Sequence, residues 1–564
     1  MAKNESSKSK AEIYREERKE RLAKAAKKNA KNIKTRTTAI SIAKKVTAVL
    51  VAVAIVAGIG WFIVDHFGID RKMRTALTVG DTKVSVAQFD YYYNMSYQYF
   101  AQMESSYQQQ GMSMGFPLDK APNEVSSGQK DEAGNELMYD QAIAQYAANL
   151  AFQQFSLYNE AKAANYALTP EEQAQIDEVI ASLEKQATEG GSSLNAFIRS
   201  SYSKGLNEKG LRELLEVELL ATRYNDDMQT KANESVTKEQ VEAEYKENVK
   251  TYNYANLRYY KIDIPAITKA DGELDEEFNQ RKADEQKKAT DAANAVLAKA
   301  TDAETLKAAA LEHKNADLKE GTKPTEVDPT VENKYMTHNT FKTTVSEEAA
   351  DWLFDASRKA GDKKVFTTEK AAFVVLVDAP SFAGNNVDVR HCLIKFDVAE
   401  GKTPTEDQKK ATHAEAVKVQ EEWIKNGRSE DAFKAIVKKY NEDTASTENG
   451  GLYEGIIPSS NFVDNFKFWA IDPARKEGDC DIIESSYGYH IMYFVKNNGA
   501  DWETTALSKL QDEAYTSAFE ALMGENGKYS MVKNEKNIAK ASEDFCDKLK
   551  KSLAQQASQQ TITL

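Results

Sequence analysis

The sequence predicts an α+β protein: one apolar helix of membrane-spanning length, a helical module, and two tandem α+β domains. Three observations carry this. The run from Val46 to Val64 holds 19 residues without a charge. Downstream of it, Ile143, Tyr146 and Leu150 recur at helical spacing, as do Leu211, Leu214, Leu215 and Leu219. From Arg258 onward the pattern changes to strands around helices, and it occurs twice.

The apolar run comes first. As a helix it spans about 28 Å, close to the hydrocarbon thickness of a bilayer. Residues 1–45 form a basic tail with 15 Lys and Arg against 5 Asp and Glu. With Lys44 and Lys45 directly before the anchor (46–64), the positive-inside rule sets the N-terminus in the cytoplasm and the bulk of the chain outside the cell membrane. Trp61 and Phe62 fall at the outer interface. The alternative is a cleaved signal peptide, but the stretch is long and ends without a small-x-small site. The rest of the chain is acidic, with 59 Lys and Arg against 83 Asp and Glu. A nucleic-acid binder needs its basic patch on the folded part, so that class is excluded. Three cysteines, Cys392, Cys480 and Cys546, make no disulfide scaffold. Six scattered histidines, with no pair at ligand spacing, give no expectation of a metal or cofactor. An extracytoplasmic chain with few cysteines suits a Gram-positive envelope.

The helical module occupies residues 65–249. Ala76 to Val86 reads as a hairpin turning at Gly80-Asp81. Thr169-Pro170-Glu171-Glu172 is a capping box with Pro at the first helical position, and Thr237-Lys-Glu-Gln240 opens another helix. Residues 104–137, rich in Gln, Ser, Gly and Asn, read as a long loop in which Met112, Met114 and Phe116 pack locally or touch partners. Residues 500–564 are polar, helical in pattern and too short for a core of their own. They are expected to pack back and complete the helical module.

The two α+β domains are placed at 250–382 and 386–498. Asp355-Ala-Ser-Arg-Lys-Ala-Gly-Asp362 matches Asp472-Pro-Ala-Arg-Lys-Glu-Gly-Asp479, and Trp352 and Trp469 share the same offset. Each copy reads as a strand, helices, a Trp-bearing helix, and two strands about a turn.

The second copy carries the chemical signals. Val389-Arg-His-Cys-Leu-Ile-Lys395 is a strand with His391 and Cys392 on opposite faces. Tyr487-Gly-Tyr-His-Ile-Met492 puts His490 on another strand. Asn441-Glu-Asp-Thr444 and Asn449-Gly-Gly-Leu-Tyr453 lie between them. In this order the motifs resemble the parvulin family of peptidyl-prolyl isomerases over about 110 residues. The resemblance implies that His391 and His490 are the central histidine pair, with Asp443 and Ser485 as their polar partners. Glu442 takes the place of Asp443 if the loop shifts. Phe462, Phe466 and Leu393 are implied as the proline slot. One element departs from the family, Pro458-Ser-Ser-Asn-Phe462, and leaves the register of Phe462 open by about one residue. No basic loop follows Lys395, so no phosphate preference is implied. In the first copy Tyr259 stands in the place of His391 and Phe373 in that of His490, which implies a degenerate, silent domain.

Residues 65–249 with 500–564 resemble the chaperone module of PrsA- and SurA-like foldases. The resemblance rests on Val79-Gly-Asp-Thr-Lys-Val-Ser-Val-Ala-Gln-Phe89, Ser193-Leu-Asn-Ala-Phe-Ile198 and Thr237-Lys-Glu-Gln-Val-Glu-Ala-Glu-Tyr245. It implies an anchored foldase that isomerises X-Pro bonds and shields unfolded secreted polypeptides. The alternative is a non-catalytic holdase or structural envelope protein that uses both α+β domains for peptide binding.

Overall fold

The computed structural model describes residues 69–562 apart from 132, 317, 319–321, 400 and 401. The expected tail and anchor lie outside the described residues, among which no helix is long and apolar enough to cross a membrane. The described residues divide into two compact units, one running to Asn233 and resumed at Tyr515, the other Glu234–Ala514.

The first unit opens with α1 (Ile69–Met73), then β1 (Thr75–Val79) and β2 (Thr82–Ser85), paired antiparallel about Gly80-Asp81. Ser85 and Gln88 form a capping box that starts α2 (Val86–Gln109), whose apolar stripe buries Phe89, Tyr91, Tyr92, Tyr93 and Tyr97. The long loop expected over 104–137 is broken by structure. α2 runs on to Gln109, and β3 (Ser126–Lys130) pairs with β4 (Glu136–Met138). Asp131 builds that hairpin: its carboxylate accepts the N–H groups of Ala133 and Asn135 at 3.0 and 2.8 Å. A polar turn residue of this kind has no hydrophobic periodicity to announce it. Phe116 is buried against Tyr97 and Tyr139, whereas Met112 is exposed. Next come α3 (Tyr139–Ala163), α4 (Pro170–Glu189), α5 (Leu194–Ser201) and α6 (Glu208–Ser235). α4 begins at the Thr169–Glu172 capping box with Pro170 in its first turn.

In the second unit, α7 (Lys238–Glu247) and α8 (Val249–Tyr252) lead into the first repeat. It consists of β5 (Tyr254–Asp263), α9 (Asp275–Lys299), α10 (Ala303–Asn315), β6 (Thr330–Thr337), α11 (His338–Thr344), α12 (Glu347–Leu353), β7 (Lys363–Thr367) and β8 (Ala371–Phe382). The second repeat consists of β9 (Asn385–Lys395), α13 (Glu406–Lys425), α14 (Glu430–Tyr440), α15 (Thr444–Thr447), β10 (Leu452–Ile456), α16 (Asp464–Ala470), β11 (Cys480–Glu484) and β12 (Gly488–Ala500). Each forms one antiparallel sheet, in the orders β6-β5-β8-β7 and β10-β9-β12-β11, the same topology strand for strand.

The registers agree as well. Tyr259 faces Val375 and His391 faces Met492. Phe373 faces Phe366 and His490 faces Ile483. Tyr259 and His391 are therefore counterparts, and so are Phe373 and His490. The shared Asp-x-x-Arg-Lys-x-Gly-Asp motif has a packing cause: Arg358 lies over Trp352 at 5.1 Å and Arg475 over Trp469 at 4.7 Å. Strand alternation sorts each sheet into two faces. On β9, Cys392 and Ile394 join Trp423 and Phe433 of α13 and α14. Val387 and Val389 join Phe466 and Trp469 of α16 on the other face. β5 divides likewise, with Tyr260 toward α9 and α10 and Leu257 toward α11 and α12.

Residues 234–249 and 500–514 cluster with this unit. Tyr245 stacks on Trp502, at the start of α17 (Asp501–Met523), with ring centroids 4.1 Å apart, and Val241, Tyr252 and Ala506 are buried beside them. The chain then returns to the first unit. β13 (Met531–Lys533) joins β1 to give the order β13-β1-β2, with Leu77 facing Lys533. α18 (Glu535–Ile562) sets Phe545 against Tyr93 and Tyr97, at 5.0 and 4.9 Å between ring centroids.

Candidate active site

β9 and β12 are neighbouring strands, and their alternation puts His391 and His490 on the same face, two residues out of direct register. The rings lie nearly parallel, 26° apart, with Nδ1 to Nδ1 at 3.1 Å. Both are buried, at 3% and 5% exposure. A buried imidazole needs partners for both nitrogens, and here each nitrogen has one. His391 Nε2 lies 2.9 Å from Asp443 Oδ2 and 3.1 Å from Ser446 Oγ. His490 Nε2 lies 2.8 Å from Ser485 Oγ.

Asp443 is held in place by the turn that starts α15. Its carboxylate accepts the Ala445 N–H at 3.3 Å as the N-cap of that helix. Asn441 fastens the turn to β9, accepting the N–H groups of Leu393 and Asp443 and donating to the Asp443 carbonyl. Glu442 turns the other way. Its carboxylate accepts the Lys395 N–H at 2.6 Å, at the end of the strand. Of the two acids, Asp443 is the one facing the histidines.

Asp443 Oδ2 also accepts the hydroxyls of Ser446 at 2.6 Å and Tyr453 at 3.0 Å. Burial alone would raise the Asp443 carboxyl; the bonds from Ser446, His391 and Tyr453 outweigh it and hold the group below its ordinary value. Burial pushes both imidazoles down, His391 against the pull of Asp443, and His490 to about 3 with His391 adding to the effect. The site at neutral pH is therefore one carboxylate and two neutral rings. Hydrogen-bond directions follow from that charge state. His391 Nε2–H donates to Asp443, leaving His391 Nδ1 to accept from His490 Nδ1–H. His490 Nε2 then accepts from the Ser485 hydroxyl, and Ser485 Oγ in turn accepts the Tyr487 N–H at 3.1 Å. One ordered chain of donors runs from Tyr487 to Asp443.

The aromatic wall stands beside this chain. Phe466 of α16 meets both imidazoles edge to face, each at 5.4 Å between centroids. Phe462 stacks on Phe466 at 5.0 Å and 14°, and Tyr453 meets Phe462 at 5.1 Å. Phe466 is 2% exposed and Leu393 5%. Of the three residues expected to line a slot, only Phe462 offers surface; Phe466 backs it from inside and Leu393 is buried. Tyr453 and Ser446 were not among the residues expected from sequence. Tyr453 does close the Asn449-Gly-Gly-Leu-Tyr453 motif, and that was the available signal.

The glycines of that motif have a steric reason. Gly451 sits at φ +73°, and a Cβ there would strike the His391 carbonyl oxygen. Its own carbonyl accepts the His391 N–H at 2.9 Å. Arg390 clamps the same loop, donating to the carbonyls of Asn449 and Gly450 at 2.8 and 2.9 Å.

The first repeat keeps only the turn end of this network, the Lys370 N–H donating to the Thr368 hydroxyl at 3.2 Å. Tyr259 meets Phe373 edge to face at 5.7 Å where the histidines lie. Asn333, facing Leu257, stands where Tyr453 faces Val389. The Thr368 hydroxyl, in the place of Ser485, donates only to the Ala371 carbonyl at 3.1 Å.

Residues 391–496 match the family model described as the PPIC-type PPIase domain, the rotamase family. The chain is 31% identical over 111 residues to foldase protein PrsA 1 of Listeria innocua, covering 20% of this chain and 31% of that protein. It is 29% identical over 93 residues to foldase protein PrsA of Latilactobacillus sakei, covering 16% and 31%. The matched segment thus spans about a third of the length of these curated relatives. The crystal structure of PrsA from Bacillus subtilis aligns over 75% of this chain and 91% of that one at 14% identity, with a TM-score of 0.18, too low to establish a shared overall arrangement.

Proposed function

We infer that the PPIC-type rotamase domain formed by residues 391–496 catalyses cis/trans isomerisation of X-Pro bonds, within a PrsA-like foldase. The observation that carries this is the closed hydrogen-bond chain from Ser485 through His490 and His391 to an ionised Asp443, set against Phe462.

An X-Pro bond isomerises slowly because rotation breaks amide resonance, at a barrier of about 18–20 kcal/mol. No covalent bond has to form or break elsewhere. What lowers the barrier is an environment that favours the twisted amide over the planar one. Phe462 supplies an apolar wall for the proline ring. The Asp443 carboxylate, 21% exposed at its side chain, is the part of the chain a substrate reaches. The planar amide puts partial negative charge on its carbonyl oxygen and the twisted amide does not. An anion fixed beside that oxygen therefore destabilises the starting state more than the transition state. Three donors on one oxygen hold the carboxylate ionised and immobile, so it needs no reorganisation when the amide rotates. His391 and His490 act through Asp443 by fixing its position and charge.

The finer parts of the reading rest on sequence. The uncharged run 46–64 behind a basic tail supports a single-pass anchor with the bulk of the chain extracytoplasmic. Clients of that location are unfolded secreted polypeptides, whose exposed apolar segments aggregate unless shielded. The test is the rate of cis/trans exchange in a short X-Pro peptide with the full chain. Acceleration that disappears in a His391→Ala, His490→Ala double variant of unchanged circular dichroism supports the reading; a folded wild type that leaves the rate unchanged rejects it. A non-catalytic peptide-binding role is favoured for the first repeat alone, where both imidazoles are replaced.

A further inference from the structure

The two repeats share one irregularity. In β10 the ladder slips between Tyr453 and Ile456, and Gly455, at φ +74°, donates its N–H to Asp388 Oδ1 at 2.8 Å. In β6 the ladder slips at the corresponding place, and Tyr335 donates its N–H to Asn256 Oδ1, also at 2.8 Å. Ala255 faces Met336 as Val387 faces Ile456. Tyr335 is therefore the counterpart of Gly455, and Asn256 that of Asp388. The bulge is the same, but the residue at its apex is not. Tyr335 holds φ +53°, a conformation that is nearly free for glycine and unfavourable for a bulky side chain. The first repeat carries strain that its sister avoids.

Such strain persists where the surroundings over-determine it, and both repeats surround this ring: Tyr254 and Phe382 of its own repeat meet it edge to face at 5.7 and 5.4 Å, and the second repeat closes the other side. Tyr335 packs against the second repeat's core. It stacks on Phe468 with centroids 5.8 Å apart and planes 14° apart, and its hydroxyl donates to the Ile471 carbonyl at 3.2 Å. Phe468 lies in α16 and Ile471 caps it. Residues two apart on a helix face opposite ways, so α16 turns Phe466 to the imidazoles and Phe468 to Tyr335. A seven-residue helix has little stability of its own, and its terminal carbonyls lack partners within the helix. Tyr335 supplies one of those partners, and Asn385, donating to the same carbonyl at 3.1 Å, supplies another.

We propose that Tyr335 is a positioning residue for the isomerase site, through which the first repeat holds the pocket helix against His391 and His490. The first repeat is then a strut in cis. This rests on the reading of the second repeat as an isomerase.

The test uses the full chain. Tyr335→Gly installs the sister residue, keeping the bulge while removing ring and hydroxyl. Hydrogen exchange at the amides of residues 464–471 is expected to accelerate while β5 and β8 exchange as in the wild type. The kcat/KM on an X-Pro peptide is expected to fall about tenfold, mostly through KM. Tyr335→Phe, which keeps the ring, restores most of both. Unchanged exchange at 464–471 in Y335G overturns the proposal. Faster exchange there with wild-type kinetics also overturns it, as does acceleration throughout 254–382, which would make Tyr335 a residue of its own repeat only. If the wild-type chain itself is inactive, the isomerase reading fails separately, and the exchange comparison alone decides whether the strut exists.

Discussion

The two α+β repeats agree in strand order, in register and in an arginine laid over a tryptophan, and they part company on one patch of one sheet face. There the first repeat packs Tyr259 against Phe373 and asks for no hydrogen bonds across the strands. The second buries two imidazoles and a carboxylate contact, and needs Ser446, Tyr453, Ser485 and the Tyr487 N–H to satisfy them. A buried polar group left unpartnered costs about 1–3 kcal/mol. The first repeat demonstrates that the fold stands without the polar chain. In the second, the network answers to something other than folding.

The largest effect expected from breaking this contrast is on catalysis. Replacing His391 and His490 with alanine lowers kcat/KM on an X-Pro peptide by about a hundredfold, because Asp443 loses both its fixed donor and its orientation. Asp443→Asn keeps an acceptor for His391 but removes the charge through which both histidines act; a comparable loss of about a hundredfold is expected, against less than about twofold for Glu442→Gln, since that carboxylate faces the Lys395 N–H. Equal losses in both variants would show that the charge near the carbonyl matters less than the integrity of the turn.

Acid sharpens the contrast in stability. His490 titrates at about 3 in the folded chain, below its unfolded value of 6.5. Between those values the unfolded chain binds the proton and the folded one does not. Stability therefore falls as pH drops from about 6.5 toward 3, by up to about 1.4 kcal/mol per pH unit for this histidine. His391 is shifted in the same direction. Denaturant titration from pH 7 to pH 4 checks this, and H391A/H490A should show a shallower slope. The smallest effect is a null one. Tyr259→His with Phe373→His in the first repeat should add no isomerase activity in the double-alanine background, because Asn333 stands where Tyr453 would be needed. Any gain would mean that the pair of rings suffices.

Much of this was legible in the sequence for identifiable reasons. The motif order and its family resemblance implied that His391 and His490 form a pair, and the repeat offsets made Tyr259 and Phe373 their counterparts before any coordinates. The capping boxes at Thr169 and Thr237 are local chemistry and read directly. What escaped depends on tertiary geometry. Ser446 reaches His391 only because the Asp443 turn folds α15 beneath the strand. Phe466 is hidden because Phe462 lies flat upon it, a rotamer outcome that residue types do not encode. The choice between Glu442 and Asp443 needed the direction of one side chain. The left-handed Tyr335 has no sequence signature, since a non-glycine residue there reads as ordinary strand.

The pairing of β13 with β1 bears on how the polypeptide matures. Emerging N-terminus first, the chain delivers the whole of its second unit before residues 531–533 exist to zip onto 77–79. Until then β1 is an open edge that invites stray pairing. The delay is cheap in closure entropy, which rises only logarithmically with the intervening length. A product cut short between the end of its second unit at residue 514 and Met531 keeps its rotamase domain yet leaves its opening sheet unsealed, so the integrity of synthesis is registered at the beginning of the molecule.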